Sequence, residues 1–179
     1  MTQILPVLRL SALLPTLLLP LLCATHGTAF GRSVVRIHAG VVTHVVDGDT
    51  VWVKTASAAK PLKVRIVGID APEICQAGGR ASRDALDHRL LNQAVTLSVS
   101  STWRHDDYGR LLAKIDLHGE EVGHWMVING HAWSYAYRRN SGSYAYEQLQ
   151  AAGSRRGLFG DSAAEAPWRF RKRHGSCYI

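Results

Sequence analysis

The sequence predicts an α+β fold of five short strands with about three helices set between and after them, an order compatible with a small closed barrel. Segments near 39–46, 49–55, 62–69, 94–100 and 110–117 carry the alternating or continuous apolar patterns of strands. Segments 79–91, 120–129 and 143–152 instead repeat apolar residues at helical spacing. The scale agrees, since 179 residues suffice for one domain with a proper core and no internal repeat or linker divides them.

Taken in order, residues 1–29 read as a secretory leader. Arg9 precedes a leucine-rich stretch, 10–23, interrupted by Pro15 and Pro20, and Gly27-Thr28-Ala29 offers small residues for processing. The prolines and the short apolar run argue against a stable membrane helix, and an uncleaved anchor is the alternative. A lipoprotein signal at Cys23 is disfavoured by Leu22 before it, where such sites carry a small residue. The mature chain, 30–179, is then one exported domain with a basic C-terminal tail, secreted or periplasmic.

Alternating apolar residues run into and out of Asp47-Gly48, a short hairpin signal that joins the first two strands. Turn chemistry explains Asp47. It does not explain Asp49, a carboxylate just past the turn where strands disfavour one. The third strand is Val64-Arg65-Ile66-Val67-Gly68-Ile69, whose near-continuous apolar run suggests cover on both faces. Arg65 lies in phase with Val67 and Ile69, and a guanidinium there is costly unless it meets an opposite charge or an anionic ligand. Asp70-Ala71-Pro72-Glu73 follows, two carboxylates around a proline that stiffens the exit turn.

In 79–91, Ala81, Ala85, Leu86 and Leu90 share one stripe. Strand 110–117 is entered through the glycine-containing turn Asp106-Asp107-Tyr108-Gly109, with Arg110 at its mouth. In 120–129, Val122, Trp125 and Met126 share a face and Gly130 supplies a stop. In 143–152, Ser143 is the expected N-cap and Gly153 follows the helix.

Carboxylates on separate strands, Asp49 and Asp70, with Glu73 close by, suit a hard cation bound through oxygen. The nine histidines show no zincin spacing, there is no paired-cysteine motif, and no nucleophilic Ser or Cys triad is evident. An excess of 21 Lys+Arg over 14 Asp+Glu, net +7, suits a polyanionic partner, because neutralising phosphates releases counterions. Without the leader two cysteines remain, Cys75 and Cys177. A disulfide between them would tie the tail beside the acidic loop; two free thiols are the alternative.

These motifs, in this order and spacing, resemble the staphylococcal-nuclease-like (thermonuclease) family. The match rests on Asp47-Gly48-Asp49-Thr50, on Arg65 through Asp70-Ala71-Pro72-Glu73, and on Tyr108-Gly109-Arg110. Gly130-His131-Ala132-Trp133-Ser134-Tyr135, Gly157-Leu158-Phe159 and Pro167-Trp168 also look like its bacterial members, so the resemblance runs over about residues 38–171.

The resemblance implies an OB-fold barrel and a calcium-dependent hydrolysis of the 5′ P–O bond in DNA and RNA, without sequence preference, leaving 3′-phosphates. It implies Asp49, Asp70 and the Ala71 carbonyl as ligands of Ca²⁺, and Glu73 as general base or orienter of the attacking water. It implies Arg65 and Arg110 on the phosphate. Preplaced cations meet the charge that grows on nonbridging oxygens, and arginine's planar fork suits phosphate better than lysine.

Trp133, Tyr135 and Tyr137 alternate along 132–137, so Tyr135 and Tyr137 are candidate stacking platforms for bases, with packing against the barrel the competing use. Arg138-Arg139, Arg155-Arg156 and the run Arg169 to Arg173 read as solvated charge rather than site residues. We expect a monomer with no stable membrane partner once the leader is removed. The rival function is a module that binds nucleic acid or another polyanion without cutting it. Such a module has no need of Asp49, Asp70 and Glu73, which repel a phosphate unless a metal is bound.

Overall fold

The computed structural model describes residues 35–100, 105–136 and 141–177, so the predicted leader, Tyr137 and Arg138-Arg139 lie outside the described residues. Strands β1 (Val35–Asp47), β2 (Thr50–Thr55), β3 (Leu62–Ile66), β5 (Ala94–Ser100) and β6 (Leu111–Leu117) form the barrel. Short strands β4 (Ile69–Asp70), β7 (Glu120–Glu121) and β8 (Trp133–Ser134) decorate it. Helices are α1 (Gly79–Leu90), α2 (Val122–Ile128), α3 (Ala145–Gly153) and α4 (Pro167–His174), with a 3₁₀ turn at Gly157–Gly160.

The sheet runs β3-β2-β1-β5-β6 and closes on itself through a parallel β3–β6 pairing, Val64↔Leu111 to Ile66↔Ala113. This is the predicted five-stranded barrel of an α+β, OB-type fold. Closure depends on β1, which pairs with β5 over its first half and with β2 over its second. Register shifts between Val42 and His44 and between Val45 and Asp47 mark bulges that bend the strand from one partner to the other. Inside sit Val42, Val45, Val51, Val53, Val64, Ile66, Leu97 and Ile115, none more than 2% exposed. Leu86 and Leu90 of α1 and Met126 and Val127 of α2 join the same core.

Several elements differ from expectation. The third strand is not covered on both faces: Val64 and Ile66 point inward, whereas Arg65 lies on the outer, half-buried side. It also stops at Ile66, because Gly68 turns the chain in the left-handed region (φ 84) and sends Ile69 and Asp70 to pair with Ser134 and Trp133. The buried stripe of α1 is Gly79, Ser82, Leu86 and Leu90, and Ala81 faces solvent. Glu120 and Glu121 belong to β7 rather than α2, since His118 and Gly119 both take positive φ and make a two-residue hairpin. Tyr144, not Ser143, occupies the N-cap of α3 and bonds no helix N–H with its side chain, and Gly153 is the last residue of that helix. β8 ends at Ser134, so the alternation over 132–137 is strand for only two residues. Finally, part of the expected basic tail is a fourth helix, α4, opened by Pro167.

Candidate active site

The β1–β2 turn sets the first carboxylate. Asp47 Oδ1 accepts the Asp49 N–H at 2.9 Å, the turn role expected of it. Gly48 does not adopt positive φ, so this is not the mirror-image turn that Asp-Gly usually signals. The glycine is there for space: a Cβ would come within 1.9 Å of Ser82 Oγ and 2.7 Å of the Ala71 Cβ. The hairpin tip is thus pressed against α1 and the 71–78 loop, which directs Asp49 toward the end of β3.

There the charges converge. Arg65 Nη2 lies 3.2 Å from Asp49 Oδ2 and 3.7 Å from Asp70 Oδ1, and the two acidic side chains are only 9% and 4% exposed. Asp49 Oδ2 also accepts the Ala71 N–H at 3.3 Å. Thr50, fully buried, donates its hydroxyl to Asp49 Oδ1 at 2.8 Å and accepts from Arg110 Nη1 at 3.1 Å. Arg110 is prepared by its own turn, in which Asp106 Oδ1 accepts the Arg110 N–H at 2.9 Å and Asp106 Oδ2 pairs with Nε at 2.7 Å. Burial pushes the Asp106 carboxyl up, but the backbone and side-chain bonds from Arg110 outweigh it and hold the group below its ordinary value.

Asp70 is the reverse case. Burial raises its pKa, the neighbouring Asp49 adds to that, and the arginines beside it only partly offset the two. Two buried carboxylates held close together at one guanidinium are a hard-oxygen donor set that fits a divalent cation such as Ca²⁺. Among the described residues no three His, Cys, Asp or Glu side chains are grouped to hold a metal ion. Further oxygens would have to come from a carbonyl such as that of buried Ala71, or from water.

Glu73 sits on the same rim but is bonded to neither Asp49 nor Arg65. Its link is Arg171 of α4, whose Nη1 reaches Glu73 Oε1 at 3.1 Å while Nη1 and Nη2 grip Asp70 Oδ1 and Oδ2 at 3.0 Å each. Burial works against the charge on Arg171, but Asp70 and Glu73 more than offset it and raise its pKa. Cys75 and Cys177 form a disulfide (Cα–Cα 5.9 Å) that binds the end of the chain to this loop.

The structure therefore brings Asp49, Arg65, Asp70, Ala71, Glu73 and Arg110 to one rim. Tyr135 stands nearby, exposed, its N–H bonded to the Gly68 carbonyl at 2.9 Å, while Trp133 packs edge-on against Phe159. Sequence reading missed Thr50 and Arg171. Thr50 had no signal beyond its place in the motif. Arg171 had one, since Pro167, Phe170 and Arg171 fall at helical spacing and are the buried or half-buried positions of α4.

Comparison with known proteins gives a consistent result. The family described as staphylococcal nuclease homologue matches residues 63–160, which include Arg65, Asp70, Glu73 and Arg110. The chain is 34% identical over 135 residues to a protein named "Uncharacterized endonuclease" from Escherichia coli O157:H7, spanning 75% of this chain and 85% of that one. It is 33% identical over 144 residues to "Protein ParB" of Escherichia coli, 74% and 78% of the two chains. To "Micrococcal nuclease" of Shigella flexneri it is 32% identical over 145 residues, 74% and 80%.

Proposed function

This chain belongs to the staphylococcal nuclease family and is a nuclease acting on nucleic acid, and we propose that it is a secreted, Ca²⁺-dependent, sequence-nonspecific enzyme that cuts DNA and RNA to leave 3′-phosphates. The observation that carries the reading is the pair of buried carboxylates, Asp49 on the β1–β2 turn and Asp70 on β4, meeting at one guanidinium, Arg65, with Arg110 joined to them through Thr50.

In this reading Asp49, Asp70 and the Ala71 carbonyl hold the ion. When bound, Ca²⁺ supplies Lewis-acid polarisation of the phosphoryl oxygen. Arg65 and Arg110 bind the nonbridging oxygens, and each stabilises the charge that grows there as water attacks. One preplaced donor of this kind is typically worth about 3–4 kcal/mol. Glu73 receives a proton from the attacking water or orients it, for a further ~10²–10⁴-fold. Tyr135 offers an exposed ring for a base near the β4–β8 edge.

Secretion is supported by the leader-like composition of 1–29 and by the Cys75–Cys177 disulfide, which suits an oxidising compartment. Among the described residues no helix is long and apolar enough to cross a membrane. The net charge of +7 opposes self-association and supports a monomer.

The test is to incubate purified mature protein with single-stranded DNA or RNA, with Ca²⁺ or with chelator, and to map the product ends. Cleavage that needs Ca²⁺ and leaves 3′-phosphates is expected. Binding without cleavage across divalent ions and pH would instead make the chain a polyanion-binding module. Glu73→Gln should lower turnover by about 10²–10⁴-fold while binding persists, and full activity in that variant removes Glu73 as base.

A further inference from the structure

The run Arg169 to Arg173 looks like a solvated basic tail, yet one of its side chains is turned inward. Arg171 shares a single nitrogen, Nη1, between Asp70 Oδ1 at 3.0 Å and Glu73 Oε1 at 3.1 Å, and its second nitrogen holds Asp70 Oδ2 at 3.0 Å. A nitrogen shared in this way sets the separation of two like-charged carboxylates that would otherwise repel.

The two acids need this unequally. Asp70 lies on β4, paired with β8, and is already placed by backbone. Glu73 lies on the irregular loop that follows, where a carboxylate is held only as well as its side-chain partners hold it. The helix carrying Arg171 is itself fastened to that loop. Cys177 is disulfide-bonded to Cys75, Gln76 Nε2 donates to the Glu165 carbonyl at 2.7 Å, and Gln76 Oε1 accepts the Glu73 N–H at 3.2 Å.

We propose that Arg171 is a positioning residue for the hydrolysis: delivered by α4 and fastened through the Cys75–Cys177 disulfide, it fixes the Glu73 carboxylate relative to Asp70. The inference rests on the reading of Glu73 as base or water-orienter. Arg171 takes no proton in the step; the proton of the attacking water goes to Glu73, and the guanidinium keeps that acceptor in one place.

The experiment uses the oxidised mature protein and its Arg171→Ala, Arg171→Lys and Glu73→Gln variants, with kcat and KM measured on single-stranded DNA and folding checked by thermal melting. For Arg171→Ala, kcat should fall about 10–100-fold, as for other outer partners of catalytic groups, while KM stays close to that of the parent. Millimolar guanidinium ion should restore part of the lost kcat in Arg171→Ala and none in Glu73→Gln, a signature that a merely structural role does not give. Arg171→Lys keeps the charge but not the shared fork, so its kcat should also fall with KM held.

A folded Arg171→Ala with parental or higher kcat overturns the proposal, as does a loss that appears in KM alone, or one that guanidinium does not rescue. Should Arg171→Ala fail to fold, Arg171→Lys decides, and parental kcat in it is equally fatal. Glu73→Gln separates the two levels. If it keeps full turnover, the base reading falls and this inference with it; if it is inactive while the Arg171 variants are not, only the positioning role falls.

Discussion

Thr50→Val isolates the bridge between the two sides of the site. The hydroxyl it deletes makes two bonds to charged partners, 2.8 Å to Asp49 and 3.1 Å from Arg110, at a residue with no exposed surface. A hydrogen bond to a charged group contributes about 1.5–3 kcal/mol. Asp49 keeps the Arg65 guanidinium at 3.2 Å through its other oxygen, Oδ2, and Arg110 keeps the Asp106 carboxylate at 2.7 Å through Nε. The freed Nη1 of Arg110, on a half-buried side chain, can turn to water, so the loss is nearer one bond than two. Valine has threonine's shape and suits a strand, so it opens no cavity. The cost is then about 2 kcal/mol, or a fall in Tm of about 4–8 °C for a domain of this size.

Turnover should suffer separately, because Arg110 is left oriented by Asp106 alone. If full removal of such a donor costs about 3–4 kcal/mol, losing half of its orientation costs about 1–2 kcal/mol, or about 5–30-fold in kcat. The assay is initial rates on a short single-stranded DNA beside thermal melts, for Thr50→Val, Arg110→Ala and the double variant. Thr50→Val should cost little further kcat once Arg110 is gone. A normal kcat with the lowered Tm, or losses that add in full in the double variant, would show that Thr50 stabilises the barrel without placing Arg110.

The other predictions concern the supports of the site. Asp106 is held below 3.8 in the folded state, so its contribution to stability is present above that value and lost as pH falls through the lower folded one. Asp106→Asn should therefore be less stable than the parent near neutrality, and the gap should begin to narrow only in melts taken below about pH 4. Cys177→Ser opens a link across 102 positions of sequence and should remove up to about 4–5 kcal/mol; reductant should reproduce the loss in the parent and leave the variant unmoved. Gly48→Ala drives a methyl to within 1.9 Å of Ser82 Oγ and should cost about 1–3 kcal/mol in denaturant unfolding, and a neutral result would mean that the hairpin tip gives way easily.

How far the sequence could be read follows from which contacts are local. The barrel strands and the carboxylates at their ends were legible because alternation and turn residues act over a few positions. Asp70 broke a strand pattern visibly, whereas Asp49, expected to open the second strand, belongs to the β1–β2 turn, and β2 starts only at Thr50. What escaped was set by closure. The inward or outward sense of Arg65 depends on which face of β3 meets the core, and an unbroken apolar run hid the switch at Gly68. Residues 120 and 121 looked helical until the His118–Gly119 turn pulled them onto Asp116 and Leu117. Arg171 lies about a hundred residues from the acids it holds, and a cationic run reads as solvated unless one knows what its helix packs on.

The closure also explains why acids and bases must arrive together. Asp49, Asp70 and Glu73 form a negative cluster that would repel the phosphate of any nucleic acid. Arg65, Arg110 and Arg171 meet it from three other elements, namely β3, the mouth of β6 and α4. Counted formally with Asp106, which pairs with Arg110, four carboxylates face three guanidinium groups, and most of these side chains are largely buried. A divalent cation bound at Asp49 and Asp70 would then leave the rim net positive, which is the condition for drawing in a polyanion. Each arginine contacts the acids through a different atom or intermediary: Arg65 directly, Arg110 through Thr50, Arg171 across two carboxylates. Loss of any one therefore disturbs a different distance, so the three alanine variants should be separable by their kinetics rather than share one graded loss of charge.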